Sequence, residues 1–391
     1  MTASSPDRVT PRARVATAAT FAAQGLLFTV LLTHLPQFRD KFGVADGTVT
    51  LIVVLVTLIA GAGSLGSEAL AARTSSRFAL RLALVLAALS ASVIGLADRL
   101  PLFIAGFAVY GVALGGVDAG SNMQGVAVQQ QYGRSVINSF HAAFSAAAIA
   151  GALYVAGSEQ AELDLGVSVV LAALVVLGIA VWPGRWLLRA DGSAPAAFPN
   201  VGELPGFFSR GPLLALGLAL AAYWAVDSGT SSWGAIYLTD VLHSSDSVAP
   251  LAYGAYQALA LVSRALGDRA VQRAGAVTTV RAGALIGIVG TLVLVLAPVP
   301  AVAVAGFALA GLGLAVVPPL CFAAAGARAR SRAQADQLVA RLNVFNYLGA
   351  LLGGALIGAI GSGIGLRVGF FLTVLLAAGM LLLAKAFRPA P

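Results

Sequence analysis

The segment GGVDAGSNMQ, residues 115–124, places Asp118, Asn122 and Gln124 inside a long stretch that is otherwise free of charge. An ionisable side chain within an apolar span costs about 2.5–3.5 kcal/mol on insertion scales, so it is retained where it faces a cavity and serves transport. Asp118 and Asn122 are four residues apart and share one helical face, whereas Gln124 points elsewhere. His141 follows near the start of the next apolar stretch, at about the depth of Asp118 if the two helices are antiparallel neighbours. A buried acid beside a donor can load and release a proton, which makes Asp118 and His141 candidates for proton coupling. The competing assignments are a permanently paired structural acid and a histidine that caps its helix.

A second acid, Asp227, lies in AYWAVDSGTSSW between Trp224 and Trp233 and joins the coupling candidates. Aromatic faces beside a carboxylate suit a sugar ring or an organic cation. The alternatives are a buried structural pair for Asp227 and an aromatic-belt position for Trp233. The run DSGTSS has weak helix propensity, which predicts a broken or bent helix there. Gln24, Asn122, Trp224, Tyr256, Gln257, Asn343 and Asn346 complete the predicted substrate-binding group, although any single amide can equally hold helices together. Glu68 with Arg73, and Asp268 with Arg269 and Arg273, read as gating charges at helix ends, contacts that hold one closed state and break in the other. A solvated loop with topology-setting arginines is the alternative reading of those two loops.

The elements that must position these residues are membrane helices. Of 391 residues 59% are hydrophobic and 10% charged, against roughly a quarter charged in an average soluble domain. About 20 apolar residues cross a bilayer core. Twelve spans fit, near 14–38, 47–70, 79–98, 101–126, 138–157, 165–188, 212–237, 249–266, 279–297, 299–325, 338–361 and 367–387. The first reads as a retained span and not as a cleaved leader. Even parity puts both termini on one side, and with that side cytoplasmic only Arg39, Lys41, Arg99 and Arg367 of the 24 Lys and Arg fall outside. Arg264 is counted here with the inner helix ends. The net charge of +8 therefore reports membrane topology and not a nucleic-acid partner.

The polar stretch from Arg189 to Arg210 divides the chain. It predicts a bundle of six helices over 1–188, a cytoplasmic linker over 189–211 and a second six-helix bundle over 212–391. A shift of 200 residues superimposes AGFAVYG at Ala105–Gly111 on AGFALAG at Ala305–Gly311, and Glu68 and Arg73 on Asp268 and Arg273. Two parallel repeats are the architecture of a rocking transporter. At the same shift Asp118 meets Pro318, so one half carries an acid where the other carries a helix break.

These features resemble the major facilitator superfamily, in particular the loop SRALGDRAVQRAG at Ser263–Gly275, with GSEALAARTSSR as a degenerate counterpart. The stretch GVDAGSNMQGVAV…INSFHAAFS is similar to a bacterial inner-membrane branch near the fucose permeases, with Asp118, Asn122, His141 and Ser145 on positions of its pattern. Asp227 and Trp233 keep the spacing of that branch's helix 7 acid and Trp, while Ser232 stands where an acid is usual. The resemblance implies an all-α membrane protein of the major facilitator fold, a multi-pass inner-membrane carrier coupled to protons. Its expected partners are a small-molecule substrate, protons and the lipid bilayer, as a monomer. Neither a cofactor nor a metal is expected, since three histidines and one cysteine form no ligand cluster and no nucleophile has a partner, which also argues against an enzyme. The absence of a P-loop argues against ATP-driven pumping. Within transport, the solute is sugar-like or another polar metabolite; the alternative is a proton-antiport exporter of a hydrophobic drug or secondary metabolite.

Overall fold

The computed structural model describes residues 11–189, 211–245 and 248–388, and the regular elements among them are all helical. Most of the linker predicted at 189–211 lies outside the described residues, as do Arg8 and Arg210. The apolar runs fold as α1 (Pro11–Thr33), the short α2 (Leu35–Phe42), α3 (Asp46–Arg73), α4 (Ser76–Leu96), α5 (Leu100–Tyr132), α6 (Ile137–Gln160) and α7 (Leu165–Val181). After the undescribed segment come α8 (Gly211–Ile236), α9 (Leu251–Ala274), α10 (Ala276–Leu296), α11 (Pro300–Leu314), α12 (Val317–Gly326), α13 (Arg332–Ile364) and α14 (Leu366–Leu383). The first predicted span ends earlier than expected, because the chain turns at His34 and starts α2 with Pro36 in its first turn. Among the described residues eleven helices, with α11 and α12 taken as one, are long and apolar enough to cross a membrane. The remaining span, α9, is more polar, because it carries Tyr253, Tyr256, Gln257, Arg264 and Asp268.

The internal repeat is visible in the packing. Gly106 of α5 lies against Ile94 and Gly306 of α11 against Leu294; Gly111 lies against Val56 and Gly311 against Tyr256. Both pairs of partners are 200 positions apart, and α4 and α10 have the same bounds at that shift. Glycine is required at Gly311 because a Cβ there would collide with the Tyr256 carbonyl, so the backbones of α9 and α11 approach as only small residues allow. The halves part company at the predicted place. α5 runs unbroken past Asp118, whereas its counterpart breaks between Leu314 and Val317, with Pro318 and Pro319 in the first turn of α12.

The predicted break at DSGTSS does not occur. α8 continues through it to Ile236 and closes in a π-helical turn, Tyr237–Val241. Its hydroxyls find acceptors without leaving the helix: Thr230 donates to the Val226 carbonyl (2.8 Å) and Ser231 to that of Ser228 (3.0 Å). Ser228 donates instead to the Ala350 carbonyl of α13 (2.6 Å), which ties the two long helices together.

The ends of α3, α5 and α9 and the start of α13 gather at one end of the bundle, the arginine-rich end. There the helices before residue 189 hold those after 211: α6 packs on α9, and α3 and α5 pack on α13. Hydrogen bonds between the two groups run inward from Gln272–Ser135 (2.8 Å) to Arg264–Ser145 (2.5 Å) and Tyr347–Asp118 (3.1 Å), close to mid-span. The bundle is closed at this end.

Candidate functional site

Asp118 is the acceptor at the centre of a cluster of amides. Its Oδ2 accepts from Asn343 Nδ2 (2.9 Å), Tyr347 Oη (3.1 Å) and Asn346 Nδ2 (3.3 Å), all on α13. Its Oδ1 accepts from Asn122 Nδ2 (3.3 Å), one turn along α5, and Gln24 of α1 lies within reach. A carboxylate offers about four acceptor sites, so this one is nearly filled, and by donors from both sides of the closed interface. Asn122 passes the contact on: its Oδ1 meets His141 Nε2 at 3.2 Å. An amide oxygen only accepts, so in this pairing Nε2 carries the hydrogen. The imidazole rests against Phe21 (4.9 Å between centroids) and Phe322 (6.4 Å).

A second cluster forms around Arg264, which lies inside its span and not with the arginines of the helix ends. α9 runs on to Ala274, so Arg264 sits well inside the span and is only 5% exposed. Nη1 donates to Ser145 Oγ of α6 (2.5 Å) and Nη2 to Tyr223 Oη of α8 (2.6 Å). Ser145 in turn donates to the His141 carbonyl (3.2 Å), which joins the two clusters. Asp227, buried on α8, feels the Arg264 charge and accepts from Tyr253 Oη (3.3 Å), to which Gln257 also donates. Tyr256 stacks on Tyr253 at 6.1 Å, and Trp224 meets Tyr223 edge-on at 5.5 Å. Trp233 is committed to α13: its Nε1 donates to the Gly354 carbonyl (2.7 Å). The partner of Asp227 is therefore a tyrosine of α9, not a pair of tryptophans on its own helix.

The predicted gating charges separate. Asp268 Oδ1 accepts from Ser135 Oγ (2.8 Å), the Asn138 backbone N–H (3.1 Å) and Asn138 Nδ2 (3.1 Å), and Oδ2 from the Ser139 backbone N–H (2.9 Å). These are the first turn of α6, whose N-cap residue Val136 offers no side-chain cap, so Asp268 caps α6 from the other side of the interface. Gly267 permits the approach, because a Cβ there would come within 2.7 Å of the Asn138 side chain. Glu68, almost wholly buried on α3, pairs with Arg341 Nε of α13 at 3.5 Å. Arg73, Arg269 and Arg273 are exposed at their helix ends. Arg269 and Arg273 pair with no carboxylate of the described residues.

Gln124 serves neither cluster. Its amide donates to the Leu188 carbonyl (3.1 Å) and to Ser76 Oγ (3.1 Å), and its oxygen accepts from the Leu188 N–H (2.9 Å). The side chain imitates a backbone partner and fixes the exit of the sixth span.

Arg264, Tyr223, Tyr253, Tyr347 and Arg341 are absent from the residues predicted to form the site. Helical spacing links Tyr253, Tyr256 and Arg264 on one face of α9, and that was the available signal. For the other three the signal lies in partners on distant helices.

The family model described as Major Facilitator Superfamily matches residues 17–336 and 235–391. An uncharacterized transporter of Sinorhizobium fredii, y4wD, is 30% identical over 291 residues, 71% of this chain and 73% of that one. An MFS-type transporter of Yersinia pestis is 28% identical over 290 residues, 72% of each. Among solved structures FucP in its outward conformation superimposes with a TM-score of 0.79 at 15% identity, over 96% of this chain and 98% of FucP.

Proposed function

The chain belongs to the major facilitator superfamily, and from that premise we propose that it is a proton-coupled secondary transporter of a small polar solute, working by alternating access. FucP, described as a fucose:proton symporter of E. coli, has this fold and this coupling. The observation that carries the reading is the Asp118 carboxylate, held by Asn343, Asn346 and Tyr347 across the closed interface.

Ionised, the carboxylate draws three donors of α13 onto α5 through charge-assisted hydrogen bonds, and the arginine-rich end stays shut. Protonated, it loses acceptor strength and presents a donor of its own to amides that must reorient. The closure then rests on Asp268 and on Glu68 with Arg341, and the end can open. A proton taken from one side is thereby linked to release on the other. The solute site lies beside this switch, lined by His141, Ser145, Tyr223, Trp224, Asp227, Tyr253, Gln257 and Arg264. Its walls are hydroxyls, amides and charges, which favours a polar solute over a hydrophobic one.

In this reading residues 1–188 and 212–391 form the two rocking bundles of a monomer in a bacterial inner membrane, with linker 189–211 and both termini in the cytoplasm. The cytoplasmic face is the arginine-rich end, as the positive-inside bias requires.

Thermal stabilisation of the purified protein by sugars, organic acids and hydrophobic drugs, at pH about 5.5 and about 7.5, supplies the test and the solute. Polar compounds are expected to stabilise, with the effect weakened in Asp227→Asn. In proteoliposomes the same solute should then drive proton movement that Asp118→Asn abolishes. Stabilisation by hydrophobic compounds alone, or proton-coupled flux undiminished in Asp118→Asn, would sink the proposal.

A further inference from the structure

A cavity of about 320 Å³ opens at the arginine-rich end, outside the transport site, lined by Thr74, Ser75, Arg77, Phe78, Arg81 and Arg189. Three guanidiniums face it, and both Arg81 and Arg189 repel Arg77. Among the described residues no carboxylate pairs with any of them. Like charges held together without a counter-ion are costly, and fixed ones define a site for an anion.

The backbone at each of these arginines is held, and Arg81 is held by its side chain as well. Arg77 and Arg81 are one turn apart on the first two turns of α4, a helix of 21 residues whose N-terminus opens on the cavity beneath its N-cap, Ser75. Arg81 Nε donates to the Ala180 carbonyl of α7 (2.9 Å), which leaves its terminal nitrogens for the cavity. Arg189 follows Leu188, whose N–H and carbonyl are both held by the buried Gln124. The polar residue that looked out of place in α5 thus positions the third cation.

The cavity also has an apolar floor that runs into the membrane. Phe78 on its rim is 51% exposed, and Leu82, Leu89, Val93 and Leu96 continue an exposed stripe down the same face of α4. Trp182, two residues beyond the carbonyl that Arg81 binds, is 60% exposed and carries the Arg185 guanidinium 3.8 Å over its ring, an aromatic belt position at headgroup level. A phosphate seated on three arginines with acyl chains along such a stripe is the footprint of a lipid.

We propose that this cavity binds the phosphate of an anionic phospholipid, with Arg77, Arg81 and Arg189 on the headgroup and the exposed stripe of α4 under the acyl chains. A free phosphate or a soluble phosphate ester shares the headgroup chemistry but gains nothing from Phe78 and the stripe.

The test is melting of the full-length protein in detergent titrated with phosphatidylglycerol, with phosphatidylcholine of the same chains, with inorganic phosphate or with glycerol phosphate. Phosphatidylglycerol alone is expected to raise the melting temperature, saturably. Arg77→Gln with Arg189→Gln should weaken the apparent affinity by about tenfold or more, as two lost charges near a membrane surface imply. Arg77→Lys with Arg189→Lys should keep most of the effect, which separates loss of charge from loss of fold. Arg330→Gln with Arg388→Gln, which remove the same charge elsewhere, should leave it unchanged. Equal stabilisation by both lipids, full stabilisation by phosphate or glycerol phosphate, or an unaltered response in the double Gln variant would overturn the proposal.

Discussion

Positions 68 and 268 are equivalent in the repeat, yet they close the bundle by different chemistry. Asp268 reaches across to α6 and satisfies the first turn of a helix, with four contacts between 2.8 and 3.1 Å. Glu68 meets the Arg341 guanidinium at 3.5 Å in a nearly dry setting. The first closure is made of directed hydrogen bonds to groups that water can satisfy once the end opens. The second confines a carboxylate that tolerates the loss of its cation poorly. One fold position has been filled by a cap on one side and by an ion pair on the other, so the two closures should differ in what breaks them.

Removing one member of a buried pair is the severest change. Arg341→Met should destabilise the protein by about 3–5 kcal/mol, and Glu68→Gln in the same chain should recover part of that loss, as thermal melting would show. A double variant no better than Arg341→Met would mean that the pair is not what confines Glu68. Asp268→Ala should leave stability less affected but weaken closure, by about 1.5–3 kcal/mol for charge-assisted bonds, read as faster thiol labelling at the arginine-rich end. If Asp268→Ala melts as low as Arg341→Met, the distinction between the two closures is wrong. Smaller still is Gly267→Ala, whose methyl must push the Asn138 side chain away: about 1 kcal/mol, the low end of overpacking costs, read in labelling.

Much of this architecture was legible in the sequence, because span length and the 200-residue shift are properties of local composition. The acid at Asp118 was legible for the same reason, as a charge in a run that has no others. Arg264 was not. It stands four residues before Asp268 in a motif dense with arginines, and only the continuation of α9 to Ala274 places it inside the span. Gln124 has its partner at Leu188, 64 residues away and on the backbone, which leaves no mark in side-chain types. The break predicted at DSGTSS in α8 did not form because hydroxyls that compete with the backbone in isolation have acceptors on α13 and on their own preceding turn.

The central claim is that the charge on Asp118 holds the arginine-rich end shut. Val126, 2% exposed and packed against Gly326 across the closed interface, reports on it directly. In a chain with Cys321→Ala, a cysteine placed by Val126→Cys should react with a polar thiol reagent at a rate that, divided by that of a free thiol at the same pH because the thiolate is the reacting form, rises as pH falls. With Asp118→Asn added, this relative rate should be higher by about ten- to a hundredfold and lose its pH dependence, the change expected from losing charge-assisted bonds of ~1.5–3 kcal/mol. Slow labelling that keeps its pH dependence in Asp118→Asn would contradict the account.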